Sequence, residues 1–242
     1  MKSLIIIGVG PGDPSLLTLA AVDAIKDSTV VSYPVATRES ESLAEKIASR
    51  WITKDKKRLP LLFPMVLDQN VLNRSWRMAG DALMKMAEKG ERVVFISQGD
   101  ISLFSTGAYL AMELKKNHPN CLINLIPGVT SLSAAAAKSQ FPLALQEEQL
   151  LVMPVPDAPF KLKPILVEAL TMQRVVVLLK LGNKWEWVKP LLQELNLLEA
   201  SIFAERVGLP DEQVVKASDL PLCSRPYFSL LMIRKNLRTI GT

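Results

Sequence analysis

The sequence predicts an α/β protein folded as two α/β domains, and two observations carry that reading. Short β-branched runs alternate with stretches whose apolar residues recur at helical spacing, the rhythm of βαβ units and of a mostly parallel sheet. The long helical pattern that ends near Lys116 then runs into Asn117-His118-Pro119-Asn120, a turn-forming segment that breaks it. The boundary is placed there, giving domains of residues 1–120 and 121–242. With 49% hydrophobic residues, the 242-residue chain can fill a core in each.

The elements follow in order. Leu4 to Ile7 reads as a strand, and it runs into Gly8-Val9-Gly10-Pro11-Gly12-Asp13-Pro14. Ser15 to Asp27 has helical spacing, with Asp13 as N-cap and Pro14 as the first helical residue. Val30 to Tyr33 and Val93 to Ile96 are strands, each followed by a helical pattern. The basic cluster Lys54, Lys56, Lys57 and Arg58 reads as a solvated loop. In the second half Leu122 to Ile126, Leu150 to Met153, Val175 to Leu179, Ser201 to Ala204 and Tyr227 to Ile233 are strands. A small-residue helix covers Ser133 to Lys138, and Pro154 to Pro164 is proline-rich enough to be a surface loop.

Composition removes several classes of function. The longest apolar runs are strand length, far below the roughly 20 residues that span a bilayer, and the start of the chain lacks the pattern of a secretory signal. A cytoplasmic protein without membrane association is expected. Cys121 and Cys223 lie far apart with no second soft ligand nearby, and His118 is the single histidine. A serine or cysteine nucleophile activated by histidine, and a protein-bound metal, are therefore not expected. The net charge of +5 suits an anionic partner. Its basic residues are scattered and its aromatics form no stacking motif, so a polycarboxylate small molecule fits at least as well as nucleic acid, which is not expected as a partner.

Three glycine turns carry the chemistry. The first is the Gly8 to Gly12 loop, whose glycines let the backbone take positive φ and approach a ligand beside free N–H groups. It is not the dinucleotide fingerprint GxGxxG, whose third glycine falls where this chain has Asp13. The second, Ser97-Gln98-Gly99-Asp100, ends the strand Val93 to Ile96; the third, Pro127-Gly128-Val129-Thr130-Ser131, ends Leu122 to Ile126. All three sit at the carboxyl ends of strands, where open α/β sheets bind ligands.

The segments GVGPGDPSLLTLAAVDAI, VVSYP, GDISLFST, PGVTSLSAAAA and AERVGLPDEQV, in this order over almost the whole chain, resemble the tetrapyrrole methylases. Within them they are most similar to the precorrin-2 or cobalt-factor II C20-methyltransferases of cobalamin synthesis. The resemblance implies two α/β domains with S-adenosylmethionine in the cleft between them, S-adenosylhomocysteine as product, a homodimer, and no protein-bound metal. It assigns cofactor contacts to Pro11, Gln98, Gly99, Asp100, Leu103, Thr106, Thr130 and Ser131, with Met153, Leu181 and Gly182 on the adenine side. Gly10 and Gly12 would face the tetrapyrrole with Pro11.

Two departures from the family pattern bear on this. The usual Gly-Asp-Pro reads Gly99-Asp100-Ile101, which keeps the glycine and the aspartate. Tyr33-Pro34 stands where the uroporphyrinogen III methylases carry an aspartate after the tyrosine, which points to the C20 enzymes. An electron-rich carbon of the substrate would supply the nucleophile, so positioning and exclusion of water can carry most of the rate. Glu205, Tyr33 and Asp100 are candidates for a base, with Glu205 equally able to pair with Arg206 or another cation. Arg38 is the first candidate to meet the substrate's carboxylates, unless it is merely exposed. Methylation at another ring carbon and a non-catalytic tetrapyrrole carrier stay as alternatives.

Overall fold

The computed structural model describes residues 3–37, 39–66 and 68–235. It divides into two compact units, Met1–Thr130 and Ser131–Thr242, so the division falls after Thr130 and not after residue 120. The first unit runs β1 (Ser3–Gly8), α1 (Leu19–Asp27), β2 (Val30–Val35), α2 (Leu43–Ala48), β3 (Lys57–Leu62), α3 (Gln69–Glu88), β4 (Val93–Ser97), α4 (Thr106–Asn117) and β5 (Leu122–Ile126). Its sheet has the order β3-β2-β4-β1-β5, and every pairing is parallel. The pairing of β5 with β1 sets the division: Ser3 stands opposite Leu122, so the His118 turn joins two elements of one unit.

Alternation along the buried strands decides which helices cover which face. Leu4, Ile6, Val93 and Phe95 pack with Leu83 of α3 and with Leu110 and Leu114 of α4. Ile7, Val94 and Ile96 pack with Ala21 and Ile25 of α1 and Ala44 and Ile47 of α2. Buried on both faces, these strands read as continuous apolar runs, as parallel strands do.

The helices start where side-chain oxygens replace missing partners. Asp13 does cap a turn, but a short 3₁₀ one, Pro14–Leu16, accepting the Ser15 N–H at 2.8 Å. Thr18 caps α1 by accepting the Ala21 N–H at 3.2 Å, so the expected helix from Ser15 is two pieces. Asp68 caps α3 through the N–H groups of Asn70 and Val71.

The basic cluster is not only solvated loop: Lys57 and Arg58 open β3. Lys56 is buried at 8% exposure, its Nζ donating to the carbonyls of Lys26 at 2.6 Å and Ser28 at 2.7 Å. It thereby satisfies and neutralises the carboxyl end of α1.

The second unit comprises α5 (Ser131–Ser139), β6 (Leu150–Pro154), α6 (Pro159–Thr171), β7 (Val175–Leu179), α7 (Trp185–Glu194), β8 (Ser201–Glu205), β9 (Gln213–Lys216) and β10 (Ser229–Ile233). Its sheet, ordered β6-β7-β10-β8-β9, is mixed, with only β6 and β7 parallel. Trp185 and Phe203, both fully buried, meet in its core with ring centroids 5.2 Å apart. The stretch Pro154 to Pro164 is only partly loop, because Pro159 opens α6 at a position where its missing N–H costs nothing. No described helix is long and apolar enough to cross a membrane.

Candidate functional site

β4, β1 and β5 are neighbours in that order and parallel, so the connections leaving them emerge side by side at one sheet edge. The three glycine turns are these connections, and the fold knits them together. Gly10 and Gly99 form an antiparallel bridge, Gly10 N–H to Gly99 carbonyl at 3.2 Å and Gly99 N–H to Gly10 carbonyl at 2.7 Å. Both hold positive φ, +80° and +72°, where L side chains are strained. The Gln98 side chain adds a third tie, donating from Nε2 to the Pro11 carbonyl at 3.0 Å.

The third turn is closed against the other two without room for a side chain. A Cβ at Gly128 would stand 2.3 Å from the Gly99 oxygen and 2.7 Å from the Gly8 carbonyl carbon; one at Gly8 would stand 2.6 Å from that same oxygen. At Gly99 a Cβ would meet nothing within 4 Å. That glycine is demanded by its φ, and its outer side is open.

Asp100 fastens the second turn to the third. Its Oδ2 accepts the Gly128 N–H at 2.9 Å, and its Oδ1 accepts the Ser102 N–H at 2.8 Å and the Ser102 hydroxyl. Burial pushes its carboxyl upward, but the bonds from Ser102, Gly128 and Ile101 outweigh this and hold it below the usual aspartate value. It stays an anion.

The predicted cofactor residues Pro11, Gln98, Gly99 and Asp100 are thus in direct contact or chained by hydrogen bonds, together with Gly10. Gly12 follows in the same buried loop. Leu103, half-buried, and Thr106, the first residue of α4, belong to the β4–α4 connection. There Ser105 caps the helix through the Gly107 N–H at 3.1 Å and meets the Ser97 hydroxyl at 3.1 Å. Thr130 ends the β5–α5 connection and Ser131 is the first residue of α5. In the second unit Met153 is on β6, opposite Leu178, while Leu181 and Gly182 follow β7. The Leu181 N–H donates to the Ser229 carbonyl at 3.3 Å and the Gly182 N–H to the Ser229 hydroxyl at 3.1 Å.

The two residues singled out as bases are differently placed. Tyr33 is on β2, separated from β1 by β4. Burial, and after it the Glu45 carboxylate, raises its phenol against the opposing pull of Arg58. It keeps its proton at neutral pH and can donate a hydrogen bond but not act as a base.

Glu205, expected to be a base or the partner of Arg206, is held bidentately by Arg225, with Nη2 to Oε1 at 2.8 Å and Nε to Oε2 at 3.0 Å. Arg206 pairs with Asp211. Arg206 follows the last residue of β8 and takes a positive φ of 51°, which turns the chain away from the strand at that point. Arg38 lies outside the described residues. Among the described residues no three His, Cys, Asp or Glu side chains gather as a metal site would require.

Sequence reasoning missed Gly8 as part of the closure, Ser105, Arg225 and Ser229. Only Gly8, at the end of an apolar run and before Gly10, left a readable signal.

A sheet edge that brings together three glycine turns, two of them fastened by a half-buried carboxylate, is the binding edge of an open α/β protein. The pattern of the family described as Tetrapyrrole (Corrin/Porphyrin) Methylases matches residues 3–220, and the chain belongs to that family. Among curated proteins it is 30% identical to a cobalt-precorrin-2 C(20)-methyltransferase of Salmonella typhimurium, over 95% of this chain and 94% of that one. It is 24% identical to a precorrin-2 C(20)-methyltransferase of Sinorhizobium sp, over 95% and 94%. Its fold is similar to that of a uroporphyrin-III C-methyl transferase from Thermus thermophilus complexed with S-adenyl homocysteine. That likeness has a TM-score of 0.64 at 21% identity and covers 96% of this chain and 92% of that one.

Proposed function

We propose that this chain transfers a methyl group from S-adenosylmethionine to C20 of a reduced tetrapyrrole, precorrin-2 or cobalt-factor II, in cobalamin synthesis. The observation that carries the reading is the closure of three glycine turns on one sheet edge, in a chain whose full-length relatives bear the names given above. The site fits the cofactor in one checkable respect: the Gly99 turn presents backbone on an open side, where a side chain would otherwise intrude.

S-adenosylmethionine supplies a sulfonium-bound methyl that an electron-rich ring carbon attacks in line. The chain's own contribution is placement. Pro11, Gln98, Gly99, Asp100, Leu103, Thr106, Thr130 and Ser131 are the proposed contacts on the three turns, with Met153, Leu181 and Gly182 on the adenine side. Gly10 and Gly12 are proposed to face the ring. The Asp100 carboxylate holds two turns in register, so a bound ligand meets a preorganised backbone and little ordering cost remains. Arg38 is proposed to meet a substrate carboxylate and Tyr33 to act as a neutral phenol.

The proposed working form is a cytoplasmic homodimer. Supporting self-association, Trp76 of α3 stacks on Tyr109 of α4 at 4.7 Å, and Tyr109 and Met112, three residues apart on α4, are 49% and 68% exposed; exposed apolar residues on one helix face mark association surfaces.

The test is anaerobic incubation of the purified protein with S-adenosylmethionine and each of the two tetrapyrroles, followed by mass and by NMR assignment of the methyl position. One methyl at C20 is the expected result. Transfer to a different carbon moves the reading to a sister activity, and binding of the pigment without transfer replaces it with a carrier.

A further inference from the structure

Arg225 donates four side-chain hydrogen bonds within the second unit. Arg225 lies in the segment leading into β10, and its side chain is only 12% exposed. Besides the bidentate pair with Glu205, its Nη2 donates to Gln213 Oε1 at 2.6 Å and its Nη1 to Cys223 Sγ at 3.5 Å. Its guanidinium also lies 5.5 Å from the Phe203 ring centroid. One side chain thus joins the end of β8, the start of β9 and the turn before β10.

That turn is what holds the backbone after β7. Pro226 accepts the Ser229 hydroxyl at 2.6 Å, and the same hydroxyl accepts the Gly182 N–H. Phe228 accepts the Arg206 N–H at 2.8 Å. The nearest atoms to a Cβ built on Gly182 would be Tyr227 Cα at 3.8 Å and the Arg225 carbonyl oxygen at 3.9 Å. Tyr227 and Phe228, 45% and 47% exposed, meet edge-on at 5.5 Å, and the Lys180 ammonium stands 5.8 Å from the Tyr227 ring. Large aromatics left half in solvent, beside a glycine held at φ +52°, form an exposed shelf.

We propose that Arg225 is the positioning residue for the nucleoside half of the bound cofactor: through Glu205 and Gln213 it sets the turn that fixes Leu181 and Gly182 and presents the Tyr227 shelf. This rests on the methyltransferase reading. It makes Glu205 an anchor and not a proton acceptor, since both carboxylate oxygens receive guanidinium N–H groups. A planar fork is needed to reach the four acceptor atoms on Glu205, Gln213 and Cys223 at once, so a lysine, with three donors on one nitrogen, cannot replace it.

The experiment is calorimetric binding of S-adenosylhomocysteine and of methylthioadenosine, which keeps the nucleoside and lacks the amino acid, to the full chain and its variants. Arg225→Met and Arg225→Lys are expected to weaken both ligands by the same factor, about tenfold, while kcat at saturating cofactor stays within about threefold. Glu205→Gln is expected to act the same way but more weakly, raising KM for the cofactor with kcat and its pH profile kept.

Wild-type affinity in the Arg225 variants overturns the inference, as does a loss confined to S-adenosylhomocysteine. So does a kcat lowered by about a hundredfold in Glu205→Gln with binding intact, the mark of a lost base. Should both Arg225 variants fail to fold, Gln213→Leu removes one acceptor only. About threefold weaker binding of both ligands is then expected, and unchanged binding overturns the inference. If the wild-type chain binds neither ligand, the methyltransferase reading itself falls, a result distinct from any difference among variants.

Discussion

Asp100 accepts the backbone N–H of Gly128 at 2.9 Å, joining turns that lie 28 positions apart in sequence. Because hydrogen bonds hold its carboxyl below the ordinary aspartate value of about 4, its stabilising effect is complete above that value. It is lost as pH falls through the depressed one. Asp100→Ala is expected to cost about 1–3 kcal/mol by urea unfolding at pH 7, and Asp100→Asn less. Both variants should show a flatter loss of stability below pH 5 than the wild type. An unchanged acid limb would remove Asp100 from the clamp.

Two glycines of the same site should respond differently to one methyl group. At Gly128 the added carbon meets backbone atoms that cannot rotate away, so Gly128→Ala should cost about 3 kcal/mol or more, or abolish folding. At Gly99 the space is open and only φ is wrong, so Gly99→Ala should cost about 1–2 kcal/mol. Denaturant midpoints of the pair check the order.

Tyr33 is a protonated phenol across the working range, since burial raises it further from neutrality. In a rate–pH profile, Tyr33→Phe should leave the position of the alkaline limb where it is, and any loss should appear as a KM for the tetrapyrrole raised by about threefold to tenfold. A limb that vanishes in the variant would restore Tyr33 as a proton acceptor.

Lys56 donates to two carbonyls at the end of α1 from a site that is 8% exposed. Lys56→Met keeps the stem and leaves those carbonyls short of a donor, so it should lower stability by about 1–3 kcal/mol. The affinity for S-adenosylhomocysteine should not move, which separates this structural charge from the binding edge.

β1 and β4 were legible because they are largely buried on both faces and read as apolar runs, and the half-exposed edge strand β5 because Pro127-Gly128 marks its end. The edge strand β3 was not: Lys57-Arg58-Leu59-Pro60-Leu61-Leu62 mixes charge, proline and leucine in no clear period, as edge strands do. The same obscurity covers Lys56, since a lysine in a basic cluster carries no mark of the carbonyls it caps. Glu205 stood out in sequence, but its partner Arg225 is 20 positions away in an irregular segment, and long-range pairing of that kind leaves no local pattern. The glycine turns could be found as three separate loops. That they are one assembly follows only from the strand order β4-β1-β5.

That order also dictates how the chain is made. Within its unit β1 is synthesised before the other strands, and it is bonded on both sides by the two made last, β4 and β5. A ribosome adding roughly 5–20 residues per second leaves Leu4 to Ile7 without either neighbour for several seconds. This apolar strand of the nascent chain is then an open edge on both sides. Chains stalled or truncated before Leu122 should therefore be the ones that chaperones retain, and β1 the segment through which they aggregate.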